Sequence, residues 1–375
     1  MLENKFVSFA VENDSNPKFM KKNLLPILIL LMLVPELQAI THKVIPAKND
    51  EVLTLKNSTL MVVLLEENKK YTDKLNKMHK AALVTAYQNE ISSINSNMQA
   101  MADKYLKVAK GIEYKTMSEV IAMPLAKREE YSFLVYDRST QFAGGAPSDF
   151  TFDFYADKDD ELNGMLDDYK DYIQFDCADP KYHGEEDYRR IDILVKGKKK
   201  AADIIFMQGL DMVIPTKGSL ALCFMAIQSQ FNTALAGDKK ADKEEEKQNA
   251  AKQVAKVKAK TLLICKDNLD KTTTEAKISA AYPNRFKIVS REEFDNSILN
   301  NDTCCCLLVV YPASKTMGGY RPTVGWQHLV VDAETGDVLL TVSPEVANAN
   351  VPPGYAKVTD KNIKDIGKAE DDAAK

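Results

Sequence analysis

The sequence predicts an α/β protein made of two duplicated β-α-β-α-β units with mixed sheets, of which the first carries a long helix and a helical insertion. Two observations support this class. Short apolar runs alternate with helical patterns in two regions of the chain, and a shift of 174 residues, the distance from Thr116 to Ser290, places similar segments on each other. We expect a signal peptide with an upstream extension at residues 1–39, a first α/β unit at 40–157, its insertion at 158–237, a charged helical linker at 238–259, a second α/β unit at 260–345 and a flexible tail at 346–375.

The first element is a leader. Three lysines within residues 18–22 precede the eleven-residue apolar run Leu24–Val34, and Ala39 ends a segment typical of a cleavage site. At about 1.5 Å per residue this run is too short for a hydrocarbon layer of about 30 Å. We therefore expect a cleavable secretory signal, with translation starting at Met1 or Met20, and no stable membrane span after cleavage. A buried apolar helix is the alternative.

The first unit opens with an apolar strand at Leu60–Leu65 and continues, after the long helix, with a short helix at Thr116–Met123 and a strand at Tyr131–Tyr136. Thr116 begins the pattern Ser/Thr-x-x-Glu, which is typical of a helix-capping box. The same pattern begins at Ser290 in the second unit. We interpret the match as an internal duplication; the alternative is two unrelated α/β units with the same local patterns.

The long helix is expected at residues 69–110. Its apolar residues are separated by alternate steps of three and four, which is the spacing of a heptad stripe. Such a stripe packs on its own sheet or against another helix, so it is either part of the core or a surface for self-association or for an envelope protein. The residues of the stripe are Val84, Tyr87, Ile91, Ile94, Met98, Met101, Tyr105 and Val108.

The insertion is expected to contain a strand at Ile191–Val195 and an amphipathic helix. The linker at residues 238–259 is rich in Lys, Glu and Ala, which predicts a solvated helix. The apolar residues that share one face of the amphipathic helix are Leu220, Phe224, Ile227, Phe231 and Leu235.

The second unit has the clearer pattern, with a glycine turn at Gly336 between its last two strands. The tail that follows is polar and is expected to be loose. Strands are expected at Thr261–Cys265, Phe286–Val289, Cys305–Tyr311, Trp326–Val331 and Val338–Val342, and helices at Thr272–Ala281 and Arg291–Leu299.

The charge and the cysteine content argue against a nucleic-acid-binding protein and against a protein with a cysteine-based zinc or redox site. The net charge of −4 lacks the basic excess of a nucleic-acid binder, so we expect no nucleic-acid partner. Four of the six cysteines lie in apolar runs, which favours small buried side chains. The sequence contains no Cys-x-x-Cys pair, which is the motif of many zinc and redox sites. No cofactor is therefore expected.

Two glycine pairs follow equivalent predicted strands, and ligands of open α/β sheets bind beyond the carboxyl ends of strands. Glycines allow a ligand to approach the backbone closely, and the basic residues of the second loop suit an anion. The alternative is a pair of surface loops whose glycines only turn the chain. The candidate ligand-binding residues are Arg138, Ser139, Gly144 and Gly145 in the first loop, and Ser314, Lys315, Gly318, Gly319 and Arg321 in the second.

An acidic segment resembles the first half of an EF-hand loop, with Asp159, Glu161 and Asn163 at the first three ligand positions and Gly164 at the sixth. Lys170 stands where a bidentate glutamate is required. We therefore expect a solvated turn here, with these residues only as weak metal candidates.

Residues 260–345 resemble a known pattern. The segment Phe286–Phe294, an apolar strand and the segment Leu329–Leu339 are similar to the α/β domain of curli-secretion-channel subunits and penicillin-binding-protein activators. Those relatives are often lipoproteins, whereas this chain lacks the lipid-accepting cysteine. The resemblance implies a non-enzymatic envelope module that docks to proteins, and it supplies no catalytic residues.

The sequence contains no Gly-x-Ser-x-Gly, Walker loop, His-Glu-x-x-His or dinucleotide-binding glycine motif. We expect an exported bacterial cell-envelope binding or assembly protein without catalytic activity, periplasmic or secreted. One alternative is a hydrolase of an envelope polymer that uses Asp137, Asp149, Asp153 or Asp157 near the first Gly-Gly loop. A calcium- or anion-binding module is the other.

Overall fold

A computed structural model describes residues 49–139, 154–156, 158–173, 188–196, 202–210, 215–237, 243–315, 323–342 and 357–373. All of them belong to one compact unit, Gln38–Lys375. The predicted signal peptide lies outside the described residues, as do Gly144, Gly145, Gly318 and Gly319.

The first repeat forms a five-stranded sheet in the order β2-β1-β3-β4-β5, in which β1 is parallel to β2 and β3, and β4 is antiparallel to β3 and β5. Its elements are α1 (Asn49–Asn57), β1 (Thr59–Leu64), α2 (Lys69–Lys77), α3 (Ala81–Tyr105), β2 (Gly111–Thr116), α4 (Met117–Ile121), α5 (Leu125–Arg128), β3 (Tyr131–Ser139), α6 (Asp159–Ile173), β4 (Tyr188–Lys196), β5 (Ala202–Gly209) and α7 (Lys217–Ala236).

The second repeat forms a sheet in the order β7-β6-β8-β9-β10, with the same parallel and antiparallel pairs as the first. Its elements are α8 (Lys243–Ala259), β6 (Thr261–Cys265), a 3-10 turn (Lys266–Asn268), α9 (Glu275–Ala281), β7 (Phe286–Val289), α10 (Arg291–Leu299), β8 (Cys305–Lys315), β9 (Thr323–Asp332), β10 (Val338–Val342) and α11 (Asp360–Ala373).

The duplication is therefore present in the fold, strand by strand. The predicted capping boxes form at both Thr116 and Ser290. The helices that follow the last strands, α7 and α11, also begin alike. The hydroxyl of Thr216 accepts a hydrogen bond from Ser219 N, and that of Thr359 accepts one from Asn362 N.

Helices and strands lie inside the predicted insertion, linker and tail. Strands β4 and β5 complete the first sheet as β9 and β10 complete the second, so only the α6 segment between β3 and β4 has no described counterpart. The tail contains α11, which buries Ile363 and Ile366, and the charged linker contains α8, which buries Val254 and Val257. Two apolar residues of described burial in each helix are a weak sequence signal, because the polar residues dominate the composition.

The predicted long helix is interrupted. The chain turns at His79, whose φ is 55°, so α2 and α3 are separate helices, and Val108 lies beyond the end of α3. The stripe from Val84 to Val108 is buried in the chain except for the half-buried Tyr105. The stripe therefore belongs to the core, which was one of its two predicted roles, and the described residues give no support to self-association through it. The sequence showed the spacing, but only the fold determines which surface covers it.

Helix α7 lies between the repeats and is buried over most of its length. Gly218 is so close to α10 that a Cβ there would lie 2.5 Å from Asp295 Cγ. A Cβ added to Gly336, in the turn before β10, would lie 2.6 Å from Met225 Cβ. Next to this turn, Asp337 accepts a hydrogen bond of 2.7 Å from Ser229 Oγ. One core cluster therefore includes both the first sheet and Leu307 and Val309 of the second.

Four of the five residues predicted on the buried face of α7 are buried, but Leu235 is 39% exposed in the last turn. The cysteine prediction is confirmed for Cys223, Cys265 and Cys306, which are buried, whereas Cys304 is exposed.

Candidate functional site

A crevice of about 810 Å³ opens at the carboxyl ends of β1 and β2. This is the edge of an open α/β sheet at which ligands bind. Its walls are the loop after β1, one side of α3, the start of α4 and a residue of α6. The lining residues are Leu65, Glu66, Glu67, Asn68, Lys69, Lys70, Gln88, Ile91, Ser92, Asn95, Ser96, Thr116, Ser118 and Asp167.

Two side chains of α3 hold the loop after β1. The Asn95 side chain makes two hydrogen bonds to Leu65, accepting from its N–H at 2.8 Å and donating to its carbonyl at 3.0 Å. The Tyr87 hydroxyl accepts a hydrogen bond of 2.9 Å from Asn68 N. The loop is thus fixed by the helix that forms the adjacent wall.

The start of α4 is occupied by groups of the protein. Ser118 donates from its backbone N–H and from its hydroxyl to Glu66 Oε2, at 2.9 and 2.8 Å. The Thr116 hydroxyl accepts from Glu119 N, and hydrogen bonding to the Thr116 backbone lowers the pKa of the Glu119 carboxyl. Carboxylates suit the positive end of a helix, so Glu66 already takes the place that a bound anion would take.

The other acids of the crevice also have partners. Glu67 Oε2 accepts a hydrogen bond of 3.0 Å from Gln88 Nε2, and Asp167 lies 3.9 Å from Lys70 Nζ across the rim. Ser92 and Ser96 stand on the exposed side of α3, one turn apart. The crevice therefore combines compensated charges with neutral hydroxyl groups.

The corresponding loop of the second repeat is held differently. The strand registers make Glu66 the counterpart of Asn268. Leu269 forms a parallel bridge with Val358, in which Asp270 N donates to Val358 O at 3.0 Å and Val358 N to Asn268 O at 2.6 Å. The C-terminal segment takes the supporting role that α3 has in the first repeat.

A buried charged cluster lies between β3 and β4. Arg190 Nη2 is 2.6 Å from Asp137 Oδ2, and Arg190 Nε donates to Asp192 Oδ2 at 3.0 Å. All three side chains are at most 3% exposed. The same register positions of the second repeat hold the neutral residues Tyr311, Gln327 and Leu329. Asp137, an acid of the hydrolase alternative, is thus in a buried salt bridge and not on an open cleft.

Of the predicted ligand-binding residues in the two Gly-Gly loops, those at the ends of the preceding strands lie in the described part of the chain. Arg138 and Ser139 end β3, and Ser314 and Lys315 end the equivalent strand β8. The candidates Gly144, Gly145, Gly318, Gly319 and Arg321, and the acids Asp149, Asp153 and Asp157, lie outside the described residues.

Sequence reasoning missed the residues of the crevice. A signal existed at Asn68, because an asparagine that precedes a helix is a typical N-cap, and Asn68 caps α2. Asn95 gave no signal, since a polar residue beside the stripe is ordinary on a half-exposed helix.

The acidic segment that was expected to form a solvated turn is helical. Asp159, Glu161 and Asn163 belong to the start of α6 and not to a loop, and exposed Glu161 pairs with Lys158 at 2.7 Å. Among the described residues, no group of three His, Cys, Asp or Glu side chains is placed to hold a metal ion. None of the helices in the described ranges is both long and apolar enough to cross a membrane.

Comparison with protein-family models, with curated proteins and with solved structures gave no match.

Proposed function

We propose that this is an exported bacterial cell-envelope protein that binds or assembles other envelope components without catalysing a reaction, and that the crevice of the first repeat is its ligand site. The observation that carries the proposal is the open, polar crevice at the carboxyl ends of β1 and β2. Ligand sites of open α/β sheets lie at this edge.

Two further features of the sequence support an envelope role. Residues 1–39 have the pattern of a secretory signal, and residues 260–345 resemble an α/β domain of envelope proteins that act by docking. The burial of Asp137 against Arg190 favours a structural role for this acid over the hydrolase alternative.

The test of export is N-terminal sequencing of the protein from fractionated bacterial cells. We expect the periplasmic or secreted fraction to contain a chain that begins after Ala39. A full-length chain in the cytosol would contradict the proposal.

The test of the site uses a photo-crosslinking residue at position 92, inside the crevice, and at position 93, which is exposed on α3 but outside it. We expect position 92 to capture an envelope component that position 93 does not. Equal capture at both positions would remove the crevice as the binding site.

A further inference from the structure

From the chemistry of its walls we infer that the crevice of the first repeat takes an uncharged, hydroxyl-rich ligand, namely a short neutral glycan. This inference rests on the proposed function and specifies the ligand class of the same site.

The charges of the crevice argue against an ionic ligand. Glu66 is held by two hydrogen bonds from Ser118, and Glu67 by Gln88. Lining acids outnumber lining bases, with three carboxylates against two lysines. An anion would meet this excess, and the α4 terminus that would favour it is taken by Glu66. Of the acids that would attract a cation, Glu66 and Glu67 already accept hydrogen bonds from the protein.

The apolar content of the crevice argues against a peptide with large side chains. Among the described lining residues, the large apolar side chains are Leu65 and Ile91, and both are buried in the core. A ligand therefore meets no exposed large apolar side chain in this part of the crevice. Peptide recognition draws most of its free energy from large side chains buried in pockets, and the described part of the crevice presents no exposed large apolar side chain to pack against them.

The hydroxyl groups provide what a glycan needs. Ser92 and Ser96 are exposed in the crevice, one turn apart on α3. A hydroxyl donates and accepts from the same atom, as sugar hydroxyls do, so both partners can satisfy each other without a fixed pattern of donors and acceptors. The volume of about 810 Å³ lies within the usual range of small-ligand sites.

The experiment measures ligand binding to the full mature chain by saturation-transfer NMR and calorimetry. The probes are the uncharged tetramer of N-acetylglucosamine, a neutral Ala/Ser peptide and inorganic phosphate. We expect binding of the tetramer alone. Ser92→Ala and Ser96→Ala should each raise its Kd about 2- to 10-fold, the range for one lost hydrogen bond.

Ser96→Trp should abolish binding by filling the crevice, whereas Ser93→Trp, on the same helix but outside the crevice, should bind as the parent does. Binding of phosphate or of the peptide in place of the tetramer, no binding of any probe, or equal effects of the two tryptophans would each overturn the inference. N-terminal sequencing and crosslinking at position 92 do not depend on the ligand class, so failure of the inference is distinguishable from failure of the proposed function.

Discussion

Thr116 and Ser290 occupy the same position in the two repeats, and each closes a reciprocal capping box with the glutamate three residues later. Glu119 and Glu293 each accept a hydrogen bond from the cap residue's own N–H, at 2.8 and 3.1 Å. Thr116 also lines the crevice, so this cap supports both the fold and the candidate site.

Removal of either cap should lower the free energy of unfolding by a similar amount. We expect Thr116→Ala and Ser290→Ala each to lower the free energy of unfolding by about 1 kcal/mol, because each leaves an N–H of the first helical turn without its partner. Urea unfolding checks this, with Thr116→Ser and Ser290→Thr as conservative controls. A loss in the controls as large as in the alanine variants would contradict the capping role.

The contact of Gly218 with α10 should not tolerate a side chain. We expect Gly218→Ala to lower the free energy of unfolding by about 1–3 kcal/mol, because its Cβ would overlap Asp295. Gly164→Ala is the matched control: it also lies in a helix, nothing lies within 4 Å of its added Cβ, and we expect a gain of about 0.5–1 kcal/mol. The double variant Gly218→Ala/Asp295→Ala should recover part of the loss. If it recovers none, the Asp295 carboxylate is not the group that limits the space.

Arg190 should contribute strongly to the stability of the fold. Its replacement by methionine leaves Asp137 and Asp192 buried without their cation, which we expect to cost about 3–5 kcal/mol in chemical unfolding. The exposed pair Lys70–Asp167 is the control, since Lys70→Met should cost less than about 1 kcal/mol.

The second repeat supplies a neutral version of this cluster. The triple variant Asp137→Tyr/Arg190→Gln/Asp192→Leu reproduces the residues at the same register positions of β8 and β9. We expect it to be more stable than Arg190→Met, since it buries no unpaired charge. A triple variant as unstable as the single one would show that packing at these positions, and not charge, determines the loss.

His328 should make stability depend on pH. It is 4% exposed, and burial lowers its pKa from 6.5 to about 4. The unfolded chain therefore binds more protons between these values. The free energy of unfolding should fall by about 2–3 kcal/mol as the pH drops from about 6.5 to about 4, and the full stability is present above that window.

The measurement compares the pH dependence of urea unfolding in the parent and in His328→Gln, which removes the titrating group and leaves all others. We expect a shallower loss in the variant below pH 6.5. Parallel curves for the two proteins would mean that His328 is not protonated on unfolding in this range.

Local sequence patterns predicted the strands of the second repeat, the two capping boxes and the duplication, because each can be recognised from short segments of neighbouring residues. The crevice was not predictable in this way. It depends on Asn95 and Leu65, which are thirty residues apart and which the fold brings within hydrogen-bonding distance.

The sequence by itself determined the α/β class, the repeated succession of strands and helices along the chain, and the residues that cap the helices at Thr116 and Ser290, since periodicity and capping act over a few residues. The tertiary structure decided that the α3 stripe is covered by its own chain, that β4 and β5 complete the first sheet, and that α7 packs between the repeats. Burial depends on which surfaces meet in three dimensions, and an apolar face on one helix does not specify its partner.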